Sequence, residues 1–347
     1  MKKNILVLLF AVSIVSCKST NNSKNSSSEN SIERPETTTS DFTLTFGSCN
    51  KSNKTNVLWD DVVSLNPDVW IWGGDNIYGD SEDMNKIKSD YELQHQQNGY
   101  AEVVKSTKVI GTWDDHDFGK NDAGVEFPKK KESQQLMLDF FGVAKNSPRR
   151  TQEGVYYSEI FKTNKGSINV ILLDTRYFRT GISKAEINGS QEGRTLLGVE
   201  QWEWLQNELH NSNADFNVIV SSIQTIAKDH PYEKWANFPN DREKLLNMIA
   251  TSKANNVILL SGDRHISEFS KLEREGIAYP LIDFTSSGLT HASFNFKGEP
   301  NTLREGEVVH TLSFGVLEFD FDHKKVTMQM RGDHNEVQQE IVQVYPL

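Results

Sequence analysis

Two cysteines, Cys17 and Cys49, are all that the 347 residues contain. A disulfide framework is excluded, and the core has to come from apolar packing. Net positive charge is missing too, since the chain carries a formal −11. Nucleic-acid binding rests on clustered Lys and Arg set against phosphates, so no nucleic-acid partner is expected. Lys129-Lys-Lys131, followed by Glu132, is too small a basic patch to reverse that. No internal repeat is evident. The apolar run inside residues 1–17 is too short to span a bilayer.

That run nevertheless has a reading. It follows a basic start, Met1-Lys-Lys, and ends in small residues, which makes it an export signal. Ile14-Val-Ser-Cys17 resembles a bacterial lipobox, in which the cysteine becomes the lipid-bearing first residue; a plain signal peptide cleaved elsewhere is the alternative. Residues 18–40 are Ser, Thr and Asn with almost nothing apolar, so they bury too little to fold and read as a disordered tether. The expectation is a globular domain over residues 41–347, lipid-anchored in a bacterial cell envelope and facing the periplasm or cell surface. If Cys17 carries lipid, Cys49 is a free thiol that needs a reason; a buried structural cysteine is the plain one.

With 36% apolar residues the chain can bury a sizeable core. Val69-Trp-Ile-Trp72 is a short apolar run closed by Gly73 and Gly74, a buried parallel strand ending in a tight turn. The turn delivers Asp75 and Tyr78. Residues 42–46 alternate as a strand and run into Gly47-Ser-Cys49; a helix over 56–66 joins the two, which makes a βαβ unit with Cys49 and Tyr78 on one sheet edge. A helix is expected over 83–98. Lys108-Val-Ile-Gly-Thr-Trp113 is a further strand, emptying into Asp114-Asp-His-Asp-Phe-Gly-Lys-Asn-Asp122. Carboxylates so dense repel one another unless a cation compensates. Further on, strands are expected over 154–161, 168–173, 216–222 and 256–261, with helices over 133–141, 197–210 and 242–254. The last of these strands ends in Gly262-Asp-Arg-His265. Beyond it the pattern is all strand, over 281–285, 311–320, 325–330 and 338–344. A βαβ first half and a strand-rich second half suit an α/β domain of two facing sheets with helices outside.

The strand ends thus carry Cys49, then Asp75 with Tyr78, then Asp115 and Asn121, then Asp263 with His265. Thiolate, phenolate, carboxylate, amide oxygen and imidazole together suit two cations, with Asp75 placed to bridge them. A pair of cations activates water and stabilises the attacking and leaving oxygens of an in-line displacement at phosphorus.

Gly47-Ser-Cys49, Gly73-Gly-Asp-Asn-Ile-Tyr78, Trp113 to Asp122, Leu173-Asp-Thr-Arg176 and Ser261-Gly-Asp-Arg-His265 stand in the order and spacing of the alkaline phosphatase D (PhoD-like) metallophosphatases. The chain resembles that family from about residue 42 to its C-terminus, and the Asp-x-x-Tyr with an upstream Cys is specific to that branch. The resemblance implies a four-layer α/β/β/α sandwich of the calcineurin-like metallophosphatase type. It also implies hydrolysis of phosphomonoesters or phosphodiesters by a metal-bound hydroxide. Its iron site is similar to that of purple acid phosphatases, with one ferric ion and calcium or another divalent cation beside it. Carried onto this chain, Cys49, Asp75, Tyr78 and His265 fall at the iron, and Asp75, Asn121 and Asp263 at the second cation. Asp115 and Arg176 fall close by, Arg176 as the phosphate clamp. The histidine that commonly follows a later strand is not evident; Gln224 stands where it would be sought. His116, between Asp115 and Asp117, either orients a carboxylate or protonates the leaving group. His230 and His291 are placed to reach the mouth of the site. A non-catalytic, lipid-anchored metal- or phosphate-binding protein stays open as the alternative.

The lipobox has a direct test. Wild-type protein is expected in the membrane fraction and Cys17→Ser is expected to be released or left unprocessed; wild-type protein found wholly soluble would reject the anchor.

Overall fold

The structure, a computed structural model, describes residues 40–346. The signal segment, Cys17 and nearly all of the tether lie outside the described residues. Among the described residues no helix is long and apolar enough to cross a membrane.

In chain order the strands are β1 (Phe42–Gly47), β2 (Val69–Gly73), β3 (Lys108–Thr112), β4 (Tyr157–Lys162), β5 (Ser167–Leu172), β6 (Phe216–Val220), β7 (Val257–Ser261), β8 (Ser267–Leu272), β9 (Leu281–Ser286), β10 (Arg304–Val309), β11 (Phe314–Asp320), β12 (Lys325–Arg331) and β13 (Val337–Val344). The helices are α1 (Trp59–Ser64), α2 (Met84–Gln96), α3 (Asn98–Ser106), α4 (Asp115–Phe118), α5 (Lys130–Phe140), α6 (Lys184–Asn188), α7 (Gly198–Asn211) and α8 (Pro239–Thr251). They build a six-stranded sheet, β13-β12-β11-β1-β2-β3, and a seven-stranded sheet, β10-β8-β9-β7-β6-β5-β4.

Strand alternation sorts the side chains into layers. Val69 and Ile71 of β2 point to the other sheet, where they join Ile168, Val170 and Leu172 of β5 and Val218 and Val220 of β6. Trp70 and Trp72 point the other way, onto Trp59, Tyr91 and Tyr100 of the helices. On the second sheet Ile171 and Ile219 face outward against Leu205 and Leu209 of α7 and Leu245 and Ile249 of α8. The order is α/β/β/α, the four layers expected.

The differences from the sequence reading are local. The helical stretch beginning at residue 83 continues, after a break at Gln97, into α3, which was not expected. β8 and β10 were not expected either; β8 buries Ser267, Glu268 and Ser270, a polar set that gives no apolar strand signal. Its Glu268 is held by Arg304 at 2.6 Å and by Gln224 at 2.7 Å, so the burial is compensated.

Phe284 of β9 sits in the middle of the inter-sheet core, its ring 4.8 Å from Phe46 and 4.5 Å from Phe269. Phe284→Ala is expected to cost about 3–5 kcal/mol in urea unfolding of the domain, and a loss below about 1 kcal/mol would mean that this core does not carry the fold.

Candidate metal centre

β1, β2 and β3 are parallel neighbours, so their carboxyl ends open on one side, and β7 of the other sheet ends at the same place. The turns there are strained. Cys49 (φ 59°), Asp75 (φ 51°), Asp263 (φ 68°) and His265 (φ 56°) all occupy the left-handed region. Each such residue costs about 1–3 kcal/mol, and strain of this kind collects at functional sites. Gly74, at φ 97°, permits the closest approach: a Cβ there would stand 2.7 Å from that of Asp114.

Ligand atoms within 4.8 Å of one another come from three overlapping groups: Cys49, Asp75 and His265; Asp75, Asp115 and His116; and Asp75, Asp114, Asp115 and Asp263. Asp75 belongs to all three. Its Oδ2 lies 3.3 Å from Cys49 Sγ and 3.3 Å from Tyr78 Oη, and Tyr78 Oη is 3.0 Å from His265 Nε2. The His116 ring stacks on Tyr78 at 4.1 Å, its Nδ1 2.8 Å from the Asp80 carboxylate. His291, 4.0 Å ring to ring from His265, closes the same side.

Burial and mutual repulsion push the acids upward. Asp75 is held well above the usual carboxylate range by burial and by Cys49 and Asp115; Asp263 is likewise raised by burial and by Asp114 and Asp115. Burial lifts Asp114 to about 6 against the pull of Arg176, and Cys49 to about 11. Asp115 goes the other way: burial opposes its charge, but Arg176 and His116 outweigh it. Burial and His291 depress His265 to about 3, so it is a neutral imidazole. Asp75 Oδ1, Asp114 Oδ2 and Asp115 Oδ1 are buried with no hydrogen-bond partner. Unpartnered, closely spaced carboxylate oxygens beside a thiol, a phenol and a neutral imidazole fit bound cations: mixed S, N and O donors at the Cys49 end, oxygen donors at the Asp114 end.

A family model described as PhoD-like phosphatase matches residues 44–330. The chain belongs to that family. It is 26% identical over 268 residues to alkaline phosphatase D of Bacillus subtilis (strain 168), a match that covers 68% of this chain and 44% of that protein. The chain thus spans less than half of that curated relative. Its fold is similar to a solved structure of PhoD (20% identity, TM-score 0.66, covering 87% of this chain and 68% of that one). It is similar also to a dimetal phosphatase from Danio rerio (14%, TM-score 0.55, 88% and 100%) and to GAP50, the anchor in the inner membrane complex of Plasmodium (12%, TM-score 0.58, 88% and 89%). At these identities the likeness concerns the fold alone.

Within this PhoD-like frame one expected role is corrected. Arg176 is not an open fork for phosphate: it is wholly buried, with Nε 2.5 Å from Asp114 Oδ1 and Nη1 2.7 Å from Glu233 Oε2. It braces the acidic cluster from behind, leaving only Nη2 without a partner. Glu233 also lies 3.1 Å from Arg179. Asn121 is exposed on the cavity wall, its amide nitrogen donating to Asp122. Gln224 turns away to Glu268 and Thr285, and Ser222 meets the cluster instead, donating to Asp114 at 2.6 Å. His230 is buried with both ring nitrogens unpartnered. Asp117 is structural, accepting from the backbone of Asp114 and Asn76.

Asp114, Glu233 and Ser222 were not singled out from the sequence. Asp114 stood in plain view beside Asp115; Glu233 carries no motif, and only the fold brings it to Arg176.

Because Arg176 holds Asp114 and Glu233, Arg176→Ala is expected to destabilise the domain by about 3–5 kcal/mol and to weaken cation binding. Urea unfolding and metal analysis check this; unchanged stability with full metal content would restore a role toward substrate.

Proposed function

We propose that this chain is a metal-dependent phosphoesterase acting on phosphomonoesters or phosphodiesters, tethered to the bacterial cell envelope by a lipid on Cys17. What carries the reading is the sharing of Asp75 among all three ligand groups, whose members Asp115, His116, Asp263 and His265 line a cavity, in a PhoD-like chain. Cys49, Asp75, Tyr78 and His265 would hold a ferric ion. Asp75, Asp114, Asp115 and Asp263, with Asn121 on the wall, would hold a divalent cation, calcium first. Bound there, such ions supply Lewis-acid stabilisation of charge on phosphoryl oxygens and a more acidic water.

The chain's own residues do the rest. Asp115 is fixed by the backbone N–H of Asp122, 2.7 Å from its Oδ2. Arg176 and Ser222 set the orientation of Asp114. His116 lines the cavity with Nδ1 tied to Asp80, which leaves Nε2 as the ring atom that can pass a proton to a departing alkoxide. Burial and the charges of Cys49 and Asp75 push the Tyr78 phenol well up, so only a strong Lewis acid at its oxygen makes phenolate the resting form at neutral pH.

Protein loaded with iron and calcium is expected to hydrolyse p-nitrophenyl phosphate, bis(p-nitrophenyl) phosphate, or both. Asp75→Asn is expected to lower that rate at least about a hundredfold, the scale of losing a major electrostatic contributor. A visible charge-transfer band from ferric phenolate should accompany activity and be bleached or strongly shifted in Tyr78→Phe. Full metal loading without turnover of either ester would favour the non-catalytic alternative. An active, colourless, iron-free protein would instead replace ferric iron by a second divalent cation.

A further inference from the structure

The cavity that ends at the carboxylates is larger than a phosphoryl group needs. It encloses about 580 Å³, inside the roughly 300–1,000 Å³ range of pockets that bury organic ligands. Its inner end is Asp115, His116, Asp263 and His265. Its outer wall has a different chemistry: Tyr232, Phe296, Arg264, Ile182 and Ile187, with Lys184 between the two isoleucines.

Arg264 joins the two ends, standing in sequence between Asp263 and His265. Its guanidinium carbon lies 4.1 Å from the centre of the Tyr232 ring, a flat cation–π stack. Glu299 takes Nη2 at 2.5 Å, while Nε is buried without a partner. The residue is 7% exposed, so its plane is fixed by Tyr232 and Glu299 rather than free to follow a ligand. The pairing also largely neutralises its charge, and Glu233 lines the cavity close by. A second anionic group on the ligand would therefore meet Glu233, Glu299 and Asp122 set against Lys184 and an already paired guanidinium. Tyr232, by contrast, is 55% exposed, and Phe296 is partly exposed with its ring stacked 6.0 Å from His310. The two isoleucines come from the 181–193 loop, which closes the wall through α6. Flat, apolar and near-neutral surfaces favour a ring over a flexible polar alcohol, because a ring loses little freedom when it stacks and buries apolar area.

We infer that the wall of Tyr232, Phe296 and Arg264 is a subsite for the organic group of the ester, and that it selects substrates whose phosphate is carried by an alcohol bearing an aromatic ring. This rests on the phosphoesterase reading, since the ring is placed by the phosphoryl group anchored at the carboxylate end.

The test uses two non-hydrolysable probes, phenylphosphonate and methylphosphonate, titrated calorimetrically into the metal-loaded protein, with inorganic diphosphate as a third. Phenylphosphonate is expected to bind about tenfold more tightly than methylphosphonate, the size of one good aromatic contact. Tyr232→Ala and Phe296→Ala remove partly exposed side chains and are expected to keep the fold, checked by circular dichroism. Each should weaken phenylphosphonate several-fold more than methylphosphonate. Equal affinities, a preference that survives both substitutions, or diphosphate binding more tightly than phenylphosphonate would each overturn the subsite while leaving the phosphoesterase intact. If no probe binds a protein whose metal content is verified, the inference falls together with the reading beneath it.

Discussion

Repulsion among buried carboxylates is the constraint on which this structure is built. Asp75, Asp114, Asp115 and Asp263 bring oxygens within 4.8 Å of one another in a largely buried cluster that meets the cavity only at Asp115 and Asp263, where each further negative charge raises the cost of the next. A fold assembled only for stability would spread these acids over its surface. Here one guanidinium, Arg176, is placed behind them, and its charge serves Asp114, Asp115 and Glu233 together. One cation against four close acids and Glu233 leaves a deficit. The unpartnered oxygens of Asp75, Asp114 and Asp115 mark where positive charge from outside the chain has to enter.

The centre straddles the two sheets, so its geometry depends on how they are held in register. Cys49, Asp75 and Asp114 follow strands of the first sheet, while Arg176, Ser222, Asp263 and His265 follow strands of the second. Polar contacts stitch the sheet ends together just beneath the site. Thr112 Oγ1 donates to the Leu173 carbonyl at 2.6 Å, and Trp113 Nε1 donates to Asp174 at 2.8 Å. Asp174 accepts from the backbone of Arg176, Tyr177 and Val155 as well. A carboxylate used in this way fixes the chain that carries Arg176, so the brace behind the cluster is positioned before any ligand arrives. Below these bonds the close-packed inter-sheet core transmits little slack.

Much of this was legible in the sequence because it is written in local signals. An apolar run closed by glycines, such as residues 69–74, states both a buried strand and the side on which its turn opens. Repeating that statement at four strand ends identifies the edge where ligands collect. What stayed hidden has no local signature. β8 buries Ser267, Glu268 and Ser270 beside Phe269, and the partners of Glu268, Arg304, Gln224 and Asn301, are distant in sequence. The role of Arg176 turns on Glu233, 57 positions away. A residue type announces what a side chain can bind; whether it meets solvent or another side chain is decided by packing, which reversed the reading of Arg176.

The same charge deficit couples the two things the centre is read to bind. A phosphate ester is an anion approaching a protein of formal charge −11 at a point already crowded with carboxylates. The positive groups beside that point are few: Lys51 sits 4.8 Å over the Tyr78 ring, Lys184 lines the cavity, Arg176 and Arg264 are paired with carboxylates, and burial keeps His265 and His291 neutral. On the proposed function, an uncompensated acidic cluster would oppose an anionic ester, and bound cations would reverse the sign of the local field. Anion affinity would then be conditional on cation occupancy, and by linkage an anion in the cavity would tighten the hold on the cations by the same factor. On the proposed function the site would behave as one thermodynamic unit, in which carboxylates gather cations and cations gather phosphate.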